Sequence, residues 1–162
     1  MMKRYLFYLG VLATILWGCA GPPPEYAPPE DLFIQEVSEI PGVSKEALFN
    51  GAKIWVAKSF SSDLDVIQYA NREQGVVVGK TSIPHERPSK LGGPERFELR
   101  FTVVAETKDE KIRTTFKDLR LMGGLGIDPL LASDMEVIRP KLEESVQALV
   151  ASYEKKSEME DW

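Results

Sequence analysis

From Leu32 onward, apolar positions recur either at a period of two or at a period near 3.6, and their order predicts β, α, four β, α. Leu32 to Ile40 suits a strand closed by Pro41-Gly42. Ser44 to Phe60 suits a helix, with Leu48, Ala52, Trp55, Val56 and Ser59 on one stripe, Ser44 as N-cap, and Val43 and Leu48 placed as a hydrophobic staple. Asp65 to Ala70 and Val76 to Ile83 are β-branched runs joined by Asn71 to Gly75, a hairpin turn whose glycine is free to take a positive φ. Pro84 to Pro94 holds three prolines and two glycines and predicts a loop, with His85 solvated in it. Phe97, Leu99, Phe101, Val103 and Ala105 alternate strictly with Arg96, Glu98, Arg100, Thr102 and Val104, the pattern of a sheet with one face buried and one wet.

In the next run, Ile112, Thr114 and Phe116 share one phase while Leu119 and Leu121 share the other, which requires a bulge near Lys117-Asp118. Gly123 to Asp128 reads as a loop. Ser133 and Glu136 have capping-box spacing, and Leu142, Val146, Leu149, Val150 and Tyr153 form a second helical stripe, which Pro140 either starts or kinks. Two helical stripes and one apolar sheet face predict an α+β domain. It has an antiparallel sheet of about five strands, both helices on one face and the other face open. The domain is expected to span 32–156, ahead of a polar tail at 157–162 in which Trp162 is held by nothing.

The chain before Leu32 has a different character. Met1 to Arg4 is short and positive, and Tyr5 to Trp17 is uncharged and mostly apolar, ending at the small residue Gly18. This layout predicts an export signal over 1–18. The apolar run would span roughly 20 Å as a helix, short of a membrane's hydrocarbon core of about 30 Å. Leu16-Trp17-Gly18-Cys19 resembles the lipobox of bacterial lipoproteins. That resemblance implies cleavage after Gly18, a diacylglycerol thioether and N-acylation on Cys19, and, with Ala20 rather than aspartate next, sorting to the outer membrane, facing the periplasm. Cys19 to Asp31 then reads as a lipidated cysteine and a proline-rich tether that neither pairs nor packs, able to reach roughly 35–40 Å as extended chain.

With 162 residues, one cysteine and one histidine, the chain has room for one ordinary domain and no internal disulfide. Loss of Lys3 and Arg4 with the signal leaves 18 basic against 25 acidic residues, a net charge of −7, which disfavours bulk nucleic-acid binding. No catalytic set emerges. His85 lacks a nucleophile elbow, and a zinc site fails on ligand count. Gly123-Gly124-Leu125-Gly126 is not followed by the Lys-Ser/Thr of a phosphate loop, and no carboxylate pair is singled out by spacing. No cofactor, no metal and no enzymatic activity are therefore expected. One constellation stands out on the expected wet face. Arg96, Arg100 and Thr102 are expected beside Arg113, Thr115 and Lys117 with Glu98 among them, a candidate binding face for an anionic group or an acidic partner.

The passage V-S-K-E-A-L-F-N-G-A-K-I-W-V-A-K-S-F, followed by D-V-I-Q-Y-A-N-R-E-Q-G-V-V-V-G-K, resembles a family of bacterial exported proteins of unknown function with a fold like the TATA-binding protein. The resemblance runs from Leu32 to about Tyr153 and implies a curved antiparallel sheet backed by two helices. It implies no reaction, and the fold name alone implies no DNA binding. The expected role is a non-enzymatic, lipid-anchored envelope protein that binds another envelope protein or polymer. The alternative is a carrier or sensor of a small anionic or amphiphilic molecule held between sheet and helix.

Overall fold

A computed structural model describes residues 23–59, 66–89, 92–124 and 126–160, with side chains described through Tyr153. The segment expected to be an export signal, Cys19 and Trp162 lie outside the described residues. The elements are β1 (Ile34–Glu39), α1 (Lys45–Ser59), β2 (Ile67–Asn71), β3 (Val76–Pro88), β4 (Pro94–Lys108), β5 (Lys111–Gly123), β6 (Gly126–Asp128) and α2 (Ala132–Glu160). The sheet is antiparallel throughout, in the order β1-β5-β4-β3-β2, with β6 added to the end of β5 beyond the reach of β1. Both helices contribute to a single core on one sheet face. This is the α+β arrangement expected from the apolar pattern, with a sixth strand in place of the loop expected at Gly123 to Asp128.

Local chemistry explains most boundaries. The Ser44 hydroxyl accepts from the Ala47 N–H at 3.3 Å, and Asp109 accepts from the Lys45 N–H at 2.8 Å, so the first turn of α1 is capped from two sides. The buried stripe of α1 is Leu48, Phe49, Ala52, Trp55 and Val56; Phe49 joins it and Ser59 stays exposed. Trp55 and Phe101 each meet Phe116 edge-on, at centroid distances of 6.5 and 5.7 Å, and fill the seam between sheet and helix. Gly75 takes φ +72° in the β2–β3 turn, and its carbonyl accepts from both the N–H and the hydroxyl of Thr107. The bulge in β5 falls at the expected place. Asp118 adopts φ +57°, and the pairing with β4 slips between Arg100 and Thr102, which turns Leu119 and Leu121 inward.

Three expectations are corrected. Pro84 to Pro94 is mostly strand: β3 continues to Pro88 and β4 begins at Pro94, paired throughout, and just beyond the last pair the Ser89 N–H donates to the Gly93 carbonyl at 3.1 Å. Proline is tolerated because β2 pairs only with Val76 to Gly79, so beyond Lys80 the outer side of β3 is a sheet edge needing no donor. The tether also packs. Glu25 accepts from the Ala132 N–H and Ala27 donates to the Leu130 carbonyl, both at 2.9 Å, while Tyr26 bridges Leu131. Pro29–Leu32 forms a 3-10 turn against β5, and Asp31 pairs with Arg139 at 3.0 Å. Finally, α2 begins at Ala132, two residues before the start that a Ser133 cap would give, runs through Pro140 and continues to Glu160. Its first turn is closed by Asp134, which accepts from the Leu131 N–H at 2.7 Å, rather than by Ser133 and Glu136.

Candidate functional site

The face of the sheet away from the helices is built by alternation in β3, β4 and β5. Its rows are Val76–Glu106–Arg113, Val78–Val104–Thr115, Lys80–Thr102–Lys117, Ser82–Arg100–Arg120 and Pro84–Glu98–Met122. No helix covers it, yet Thr102, Thr115 and Ser82 are buried. Cations flank Thr102 and Ser82 in the rows, while Thr115 lies between Val104 and Gln35; the aliphatic stems of Lys and Arg can lie over neighbouring small residues while their heads stay in water.

The four expected cations do lie on this face, but not as one cluster. Because the β4–β5 turn sits at Asp109-Glu110, Arg113 falls opposite Glu106, Lys117 opposite Thr102, and Arg100 opposite Arg120, while Arg96 lies at the far end against Glu86 of β3. Three of the four are neutralised locally: Arg96 by Glu86 at 3.5 Å, Arg100 by Glu98 at 2.8 Å and Arg113 by Glu106 at 2.6 Å. The Ser82 hydroxyl at 2.6 Å and the Arg100 guanidinium hold Glu98 below the usual carboxylate range, and Arg113 does the same for Glu106. Lys117, Lys80 and Arg120 form no ion pair among the described residues. Lys80 and Arg120 were missed by sequence reasoning, although the inward phase of Leu119 and Leu121 already obliges Arg120 to face outward.

A second cluster was missed altogether. His85, expected in solvent, is 3% exposed on the helix side of β3, and its Nε2 lies 2.9 Å from Asp134 Oδ1. An ionised carboxylate only accepts, so Nε2 carries the hydrogen. Arg87 Nε donates to the same oxygen at 2.8 Å, an Arg87 amino group pairs with the other oxygen, and Arg87 also reaches the Pro129 carbonyl at 2.7 Å and stacks over Phe97. Burial alone would raise the Asp134 pKa. The Arg87, Leu131 and His85 donors outweigh it and hold the carboxyl below its ordinary value. With both oxygens engaged, Asp134 latches the extension of β3 to the start of α2. The signal was present in the two-residue phase Val77, Gly79, Thr81, Ile83, His85, hidden by the prolines in the other phase.

Between the helices lies a groove of about 860 Å³, lined among others by Asn50, Ile54, Trp55, Lys58, Ser152 and Tyr153. Trp55 donates to the Ser145 carbonyl at 3.1 Å and Tyr153 to the Leu48 carbonyl at 2.6 Å, tying the helices together beneath it. Among the described residues there is no group of three or more His, Cys, Asp or Glu able to hold a metal ion, and no helix long and apolar enough to cross a membrane.

A family model described as a domain of unknown function (DUF4468) with TBP-like fold matches residues 35–121. Solved structures share the fold. A DUF4468 family protein from Bacteroides ovatus superposes with a TM-score of 0.54 at 12% identity, over 66% of this chain and 64% of that one, so the chain spans less than two thirds of its length. A TBP-like protein from Parabacteroides distasonis superposes with a TM-score of 0.53 at 12% identity, over 72% of this chain and 91% of that one. No curated protein matches the chain.

Proposed function

Since the chain belongs to the DUF4468 family, a domain without an assigned function, we propose that it is a lipid-anchored protein of the bacterial cell envelope whose open sheet face binds another component of that envelope. The reading is non-enzymatic, and the basis for its binding face is one observation. In a chain with more acids than bases, the uncovered face presents Lys117 and Arg120 outside the ion pairs formed among the described residues. The anchor rests on Leu16-Trp17-Gly18-Cys19 at the end of an export-like segment. The groove between the helices favours a second reading, a carrier for a small molecule. Its volume is within the range of ligand sites, although it lies between helices rather than between helix and sheet.

Intact mass and membrane fractionation of the full chain beside Cys19→Ala test the anchor. A lipid-sized mass increment and membrane sedimentation, both lost in the variant, are the expected result. An unlipidated, soluble wild type would overturn the anchor and move the small-molecule reading ahead.

A further inference from the structure

We infer that the open sheet face is turned to the membrane surface itself, with its β1–β5–β6 side on anionic lipid headgroups. This inference rests on the anchor proposed above. Three observations converge on it.

The first is where the tether arrives. Glu25, Tyr26 and Ala27 are fixed to Leu130, Leu131 and Ala132, and these residues follow directly from β6, the strand paired to Leu121–Gly123 of β5. Only five residues, hence six Cα-to-Cα steps, separate Cys19 from Glu25. At 3.3–3.6 Å per residue even a fully extended chain spans no more than about 22 Å. A free tether of twelve residues would have let the domain tumble well clear of the bilayer. The docked one holds this edge of the sheet close to the lipid-bearing cysteine.

The second is charge. Arg120 is adjacent in sequence to Leu121, the first residue of β5 that β6 pairs, and Lys117 stands across the bulge from it. Arg100 and Arg120 are direct cross-strand neighbours, and Glu98 answers Arg100 while Arg120 has no ion pair among the described residues, so the like-charge contact is only partly offset. Lys80 continues the row through Thr102 to Lys117. Asp118 at the bulge and the paired Glu98 and Glu106 reduce this charge without cancelling it. Each cation near an anionic lipid surface favours the bound orientation by about fivefold.

The third is apolar exposure. Of the large hydrophobic side chains left in water among the described residues, Tyr26, Phe33, Val37 and Ile127 belong to the tether, the approach to β1, β1 and β6. Val37 is registered on Arg113 and Ile127 on Met122, so both share the open face with the cations. Apolar side chains flanked by lysine and arginine suit the headgroup boundary, where the first can insert and the second stay hydrated. A soluble acidic partner would account for the charge but not for where the anchor arrives.

The lipidated full chain, checked by intact mass, can be placed in phosphatidylcholine vesicles with and without phosphatidylglycerol. Single fluorescent labels are carried at Val37→Cys, Ile127→Cys or Ile54→Cys, the last on α1; Cys19 is the chain's one native cysteine and would be blocked by its lipid. Quenching by headgroup nitroxide lipids is expected to be at least about threefold stronger at 37 and 127 than at 54 when phosphatidylglycerol is present. That contrast should collapse in a Lys117→Glu/Arg120→Glu background and at high salt. Equal quenching at the three positions in both lipids, stronger quenching at 54, or a contrast indifferent to phosphatidylglycerol would overturn the inference. Should the mass show no lipid, the anchor fails by itself. The unlipidated chain, carrying Cys19→Ala so that each label stays single, then tests the face alone through the same quenching contrast with anionic vesicles.

Discussion

The two faces of β4 have the same backbone and opposite chemistry. On one, Leu99, Phe101, Val103 and Ala105 are withdrawn from water beneath two helices. On the other, Glu98, Arg100 and Glu106 make surface pairs that no element covers. Full burial of a leucine or phenylalanine contributes about 1.5–3 kcal/mol, whereas an exposed ion pair contributes about 0–1. The fold is therefore decided on the covered face, and the open face is free to be chosen for something other than stability. Truncating side chains on each face separates the two. Phe116→Ala removes the ring that Trp55 and Phe101 both meet and should cost about 3–5 kcal/mol in chemical denaturation. Its outward neighbour Lys117→Ala should stay within about 0.5 kcal/mol of wild type. Similar losses at both positions would break the contrast.

The latch at Asp134 tests whether the polar exception on the covered side behaves like core or like surface. Asp134→Ala leaves His85 and Arg87 without their shared acceptor, and a loss of about 2–3 kcal/mol of unfolding free energy is expected in chemical denaturation. The pH dependence has a definite sign. The folded pKa lies below the ordinary value of 3.8, so the carboxylate's contribution is complete above that value and is lost as pH falls through the lower folded one. The wild-type acid limb should thus be steeper than that of Asp134→Asn below pH 3.8. Superimposable limbs would show that the latch stores no stability.

Gly51 gives a smaller, two-signed test. Alanine there gains about 1 kcal/mol of helix propensity, yet its methyl would run into the Tyr153 ring, which the Leu48 carbonyl pins by its hydroxyl. Overpacking costs about 1–3 kcal/mol, so a net loss of about 1 kcal/mol is expected, and a more stable variant would show that Tyr153 moves aside.

What could be read in advance follows the same division. The caps, stripes and bulge rest on residues close in sequence: Ser44 caps Ala47 three positions on, and the inversion of phase between Phe116 and Leu119 needs no knowledge of a partner. The failures all needed one. Pro84 and Pro88 are tolerated only because β2 stops short, His85 is buried only because Asp134 arrives from 49 residues away, and the proline-rich tether packs only because Leu130 and Leu131 offer their backbone. Likewise, the alternation identified which cations face outward but not which stand side by side. That depends on where the β4–β5 hairpin turns and on the one-residue slip at Asp118.

That slip supplies the smallest and most pointed test. It brings Arg120 directly opposite Arg100, a like-charge pair on an exposed face, in a chain with acids to spare. Arg120→Glu replaces repulsion from Arg100 with attraction, shared with the Glu98 that already pairs with Arg100, and should raise stability by about 0.2–1 kcal/mol, most clearly at low salt. Most substitutions destabilise, so a gain here would mark a position where the wild-type residue opposes the fold's own preference. The same variant is expected to weaken the hold of the face on an anionic surface. Stability and binding would then move in opposite directions at one residue, as they should on a face not chosen for stability. A loss of stability would mean that Arg120 is held by contacts that outweigh its repulsion from Arg100, and the open face would then resemble the covered one more than its chemistry suggests.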